Sequence, residues 1–179
     1  MDVVDSVNEE YLSIVNFLDT SMQPSLSSDT NKYFKKIIVL SSASYFEDQI
    51  QNILINFIAK ESGGNEKVIS FFKKKAIGMQ YHTYFNWGEK NNAEKPGKNA
   101  NSFFSLFGDE FKKIMESEIN KNDTLKDSMK CFIEIGHLRN ILIHSNFAAY
   151  NLDNKTTEEV YNLHKKSLVF IEFIRNKLQ

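Results

Sequence analysis

Apolar side chains recur three and four residues apart along most of this chain, and no stretch alternates convincingly as a strand would. Val4, Val7, Tyr11, Ile14, Val15 and Leu18 predict a first helix that ends in the polar stretch Thr20 to Ser28 with its Pro24. A longer helix follows, capped by Asp29 or Thr30. It carries Ile37, Ile38, Leu40, Phe46, Ile50, Ile53, Leu54 and Phe57 toward the break at Ser62-Gly63-Gly64-Asn65. Shorter helices are expected near Val68 to Lys75 and Ile77 to Trp87, and residues 88–101 read as a loop by composition. Phe103 to Phe107 is too short to classify, while Phe111, Ile114, Met115 and Ile119 mark another helix. Thr124 with Asp127 resembles a capping pair opening a helix from near Leu125 to about Phe147, and Thr157 to Leu178 forms the last.

These elements predict an all-α fold, a single bundle of four to five long helices in one domain spanning residues 1–179. The core helices are expected at about 30–60, 123–148 and 156–178, with a helical and loop insertion at about 61–122. At 179 residues the chain is long enough to bury a sizeable core.

Composition changes this picture little. A net charge of −1 does not announce a nucleic-acid binder, but the charge is uneven: residues 60–100 hold 8 basic and 4 acidic groups, whereas residues 1–59 hold 3 and 8. A polyanion would therefore need a local patch, and Lys73, Lys74 and Lys75 are the obvious candidate, although such runs are more often solvated faces. A lone Cys131 leaves no internal disulfide and suits a reducing compartment. The acidic N-terminus is unlike a secretory signal and no apolar run reaches a membrane span, so a cytoplasmic location is expected.

The late helix carries the candidate chemistry in Arg139-Asn140-Ile141-Leu142-Ile143-His144. At about 100° per residue, Asn140 and His144 lie roughly 40° apart and His137 falls within about 20° of His144, so the three form one polar stripe. Apolar Leu138, Ile141, Leu142, Ile143 and Phe147 surround it, which points the stripe at a groove or a partner. Arg139 lies about 140° from His144 around the axis, and only its long stem can bring the guanidinium to the same place. Gly136 interrupts the helix just before the motif at a cost of about 1 kcal/mol relative to alanine, either to admit a close neighbour or as a tolerated defect.

The Arg-Asn pair followed by His144 after four intervening residues resembles the signature of the HEPN superfamily. There an arginine, usually followed by a polar residue, precedes a histidine by four to six residues near the end of a long bundle helix. Ser44-Tyr45-Phe46-Glu47-Asp48-Gln49-Ile50 and Asn101-Ser102-Phe103-Phe104-Ser105-Leu106-Phe107-Gly108 are similar to segments of the RiboL-PSP-HEPN subgroup, so the resemblance runs from about residue 30 to 178.

The resemblance implies a metal-independent endoribonuclease that works as a homodimer through the motif helix. It implies catalytic roles for Arg139, Asn140 and His144, an RNA substrate, no cofactor and no metal. A toxin of a toxin–antitoxin or antiviral defence system, restrained by an antitoxin or other inhibitory protein, fits this reading. The alternative is a noncatalytic HEPN module that dimerises or binds nucleotide or RNA within a defence complex. Some HEPN toxins carry a tyrosine two residues after the histidine that an antitoxin enzyme modifies; Asn146 stands there, so that switch is not expected.

Other residues are candidates for support only. His137 can back the motif but more often such a residue packs, and Glu47 or Asp48 can orient His144 or Arg139. His82 and His164 lie apart from the motif along the chain, and no histidine or cysteine spacing suggests zinc. Tyr81, Tyr84, Phe85 and Trp87 can stack on bases, although aromatics at this spacing are more often core.

Overall fold

The computed structural model describes residues 1–90, 92–152 and 154–179. The elements in chain order are α1 Val3–Thr20, α2 Pro24–Glu61, α3 Glu66–Phe72, a π-helical turn Lys73–Ile77, α4 Gly78–Tyr84, α5 Asn101–Ser105, α6 Asp109–Asn120, α7 Asp123–His144 and α8 Thr157–Leu178. The architecture is all-α. Among the described residues the only extended pairing is an isolated bridge between Gly88 and Pro96.

α2, α7 and α8 form the centre of the bundle because each has an apolar stripe with no other place to go. Phe46, Ile50 and Ile53 of α2 meet Phe132, Ile133 and Ile135 of α7 and Phe170, Ile171 and Ile174 of α8 in one core. A second cluster, nearer the motif, joins Val4, Ile38, Val39, Leu138, Leu142, Leu152 and Val160, which ties α1 to the same bundle. At about 25 cal/mol per Å2 of apolar surface buried, such side chains supply most of the driving force for folding. The segment between α4 and α6 covers the core with rings: Phe85 stacks on Phe103 at 4.9 Å and meets Phe132 edge-on at 5.0 Å.

One polar link fastens α7 to α8. Ser128 Oγ donates to the Lys166 carbonyl and accepts from the Phe170 amide, both at 2.7 Å. Those two backbone groups are ones an uninterrupted helix would join, so the serine reaches into the ladder of its neighbour.

Three boundaries of the long helices move, and the helix expected from Ile77 to Trp87 is α4, which ends at Tyr84. The second helix starts at Pro24, not at Asp29 or Thr30, because proline's missing N–H costs nothing in a first turn and Met22, at φ 51°, turns the chain tightly before it. α7 is capped by Asn122, whose side chain accepts from the Leu125 amide at 3.0 Å, so Thr124 and Asp127 lie inside the helix. The same helix ends at His144, short of Phe147, because the Asn146 side chain takes the amides of Ala148 and Ala149 and folds a turn there. α8 has the expected bounds, fixed by a capping box between Thr156 and Glu159.

Candidate active-site cleft

The last turns of α7 present Arg139 and Asn140 half-buried and His144 exposed. Arg139 Nη1 donates to Asn140 Oδ1 at 3.1 Å, so the guanidinium stem bends around the helix to the amide despite the angular separation of the two positions. Both residues line a cleft of about 550 Å3 together with His144 and Ile143. The three motif residues thus share one solvent-open surface, with the amide fixed by the cation beside it.

The opposite wall comes from the 82–90 segment, which supplies His82, Phe85, Asn86, Trp87, Gly88 and Lys90 to the same cleft. Gly136 holds this wall in place. A Cβ built on it would lie 2.0 Å from Trp87 Cζ3, so only glycine lets the indole rest on α7. The indole Nε1 in turn donates to the His82 carbonyl at 3.1 Å, and the Trp87 carbonyl accepts from the Gly97 amide at 2.9 Å. Buried His137 donates from Nε2 to the Asn92 carbonyl at 2.8 Å. The loop expected from composition is therefore strapped to the motif helix at two points, and His137 serves that strap and is turned away from the cleft chemistry.

Glu47 of α2 is half-buried on this side of the bundle and accepts from Gln51 at 3.2 Å. Burial, followed by the Glu47 charge, pushes the Tyr81 phenol up against the opposing pull of Arg139, so Tyr81 is a neutral group between an acid and the motif cation. Asp48 does not join them. It is exposed, accepts from Asn52 at 3.0 Å, and lines a separate hollow with Val3, Leu40 and Ser44, because one residue along a helix turns about 100° away from Glu47. Lys73, Lys74 and Lys75 are exposed on the π-helical turn, and the lysine that lines the cleft is Lys90. Tyr81, Tyr84, Phe85 and Trp87 pack chiefly on one another and on Phe103 and Phe132, the core role that helical spacing favours.

His82, which the sequence leaves remote, borders the Arg139–Asn140 pair in two adjoining hollows. The available signal was Gly136: a glycine in an apolar helix interior implies a bulky neighbour, and the chain has one tryptophan, five residues after His82.

Two other groups with chemical potential are structural. Cys131 is buried, and burial raises its thiol to about 11, so it is a packing residue at neutral pH. Asp2, Asp5 and His164 lie within 4.8 Å of one another, and of their polar atoms only the buried His164 Nδ1 has no hydrogen-bond partner. His164 Nε2 meets Asp2 at 2.9 Å, while Asp5 accepts from Tyr161 at 2.8 Å and Lys165 at 2.9 Å. Burial would raise the Asp5 carboxyl, yet hydrogen bonds from the Asp2 amide, Lys165 and Tyr161 outweigh it and hold it well below its ordinary value. These groups clasp α1 to α8.

An all-helical bundle whose long late helix ends in an arginine, an adjacent amide and a histidine is the arrangement of a HEPN-type domain. This chain belongs to the RiboL-PSP-HEPN family, whose family model matches residues 5–179. No curated protein and no solved structure matches it. Among the described residues no helix is long and apolar enough to cross a membrane.

Proposed function

We propose that this protein is a metal-independent endoribonuclease that cuts RNA by attack of the substrate's own 2′-hydroxyl. HEPN membership points to RNA-related chemistry, and the observation that carries the finer reading is the shared cleft of Arg139, Asn140 and His144, with Arg139 bonded to Asn140. His144 is exposed at the helix end and takes the proton from the 2′-hydroxyl. Arg139 meets the charge that develops on the phosphorus oxygens, a role suited to a forked, permanent cation. Asn140 orients the phosphate.

Homodimerisation through the motif helix fits the apolar surface beside His144, where Ile143 is 49% exposed and Phe147 37%. Such an enzyme harms its own cell unless restrained, which suits a toxin of a toxin–antitoxin or antiviral system held by an inhibitory protein. The test is cleavage of single-stranded RNA by the purified protein beside Arg139→Ala and His144→Ala. Loss of cleavage in both variants with melting temperature retained supports the enzyme. RNA binding without cleavage in wild type and variants favours the noncatalytic module.

A further inference from the structure

We propose that His82 is a second proton-transfer residue of this cleft, protonating the 5′-oxygen that leaves as RNA is cut. The inference rests on the ribonuclease reading above and extends it to a residue outside the motif.

The four histidines divide into two kinds. His137 and His164 are 1% and 0% exposed, and each holds a fixed partner, the Asn92 carbonyl or the Asp2 carboxylate. Neither can exchange a proton with solvent once per turnover. His82 and His144 are both exposed, and both line the cleft that contains Arg139 and Asn140. His82 also borders the smaller hollow that Gly136, Arg139 and Asn140 line, so it shares both hollows with the Arg–Asn pair.

Its backbone is held in place. The Trp87 indole, seated on Gly136, donates to the His82 carbonyl at 3.1 Å, and Gly136 precedes Arg139 and Asn140 by one helical turn. The contact that docks the wall onto α7 therefore delivers His82 opposite the motif. The charged and titratable groups around it are Arg139 and His144 from α7, Lys90 from the following loop, and Tyr81 on its own helix, with Glu47 of α2 acting on Tyr81.

The reaction balances with these groups alone. His144 takes the 2′-hydroxyl proton as the O2′–P bond forms; the P–O5′ bond breaks, and imidazolium His82 gives its proton to O5′. The products are a 2′,3′-cyclic phosphate and a free 5′-hydroxyl, and water returns both imidazoles to their starting states. One chain then carries base, cation and acid, and the acid need not come from a second protomer.

The test compares wild type, His82→Ala and His144→Ala on an RNA dinucleotide and on uridine 3′-(p-nitrophenyl phosphate), whose leaving group departs without a proton. Removing a general acid costs on the order of 100-fold or more. His82→Ala should lose about that much on the dinucleotide, lose the alkaline limb of its pH–rate profile, and stay within a few-fold of wild type on the nitrophenyl ester. His144→Ala should fail on both substrates. If His82→Ala matches wild type on the dinucleotide, or falls equally on both substrates with the pH profile unchanged, the acid role is overturned while the ribonuclease stands. Wild type inert on both substrates overturns the two readings together.

Discussion

The indole of Trp87 occupies the space a side chain at Gly136 would need, since a Cβ there would fall 2.0 Å from Cζ3 and 2.2 Å from Cε3. This contact joins the motif helix to the far wall of the cleft. Gly136→Ala gains about 1 kcal/mol of helix propensity but must displace a buried ring, and overpacking of this kind costs about 1–3 kcal/mol. The ring has nowhere to retreat within the Tyr81, Phe85 and Phe132 cluster, so the steric cost prevails. The variant should melt below wild type and show a solvent-shifted emission from the single tryptophan, which fluorescence during thermal unfolding reads directly.

Replacing Arg139 with lysine separates charge from geometry. Lysine keeps the cation but has no planar fork to bond Asn140 and a phosphate together. RNA cleavage should drop by about 100-fold or more, in the range seen when one donor to a developing oxyanion is removed, with little change in melting temperature. Equal activity in Arg139→Lys would show that a point charge suffices.

The segment after His144 is held by a buried lysine. Lys36 Nζ donates to the Phe147 carbonyl at 2.7 Å and lies 5.1 Å from the Phe147 ring centre and 5.3 Å from that of Tyr33. Lys36→Met fills similar volume without the charge or donor. Breaking a buried charged hydrogen bond costs roughly 1.5–3 kcal/mol. Amides 145–150 should exchange faster with deuterium than in wild type, while those of α8 remain protected.

Stability should fall in acid, and the sign follows from three groups. Burial would raise the Asp2 carboxyl, but its hydrogen bonds with His164 and the Asp5 amide outweigh that and hold it below its ordinary value; Asp5 is held lower still. Burial lowers His164 in spite of Asp2, so the folded protein keeps it neutral. In every case the unfolded chain binds more protons, and stability rises with pH. The His164 contribution is complete above its unfolded value of about 6.5 and declines below it, and the carboxylate contributions go next, below about 4. Lys165 is raised, chiefly by its hydrogen bond to Asp5, and so weakens the clasp only on the alkaline side. Urea titrations at pH 5 and pH 7 should give a lower midpoint at pH 5, and His164→Gln should shrink that difference.

The sequence revealed the helices whose signals are local and strong. α8 is bounded as expected because Thr156 and Glu159 cap it reciprocally and its apolar positions keep helical spacing. The start of α2 was hidden because Pro24 among serines reads equally as a turn and as a first helical turn. In the candidate site, Arg139, Asn140 and His144 were legible as a pattern on one helix. The wall facing them was not, since nothing periodic links His82 or Lys90 to α7. That link is made by one glycine, one tryptophan and a backbone hydrogen bond. Asp48 shows the reverse case, a neighbour of Glu47 in sequence that faces another hollow.

The proposed function places metal-free cleavage of RNA in the cleft at the end of α7. We would incubate the purified protein in EDTA with an RNA oligonucleotide and with the same oligonucleotide carrying 2′-deoxy residues, and analyse the product ends by mass spectrometry. RNA products should end in a 2′,3′-cyclic phosphate, with the 2′-deoxy strand intact. Cleavage of both strands, or cleavage only when a divalent metal is restored, would contradict the proposed function.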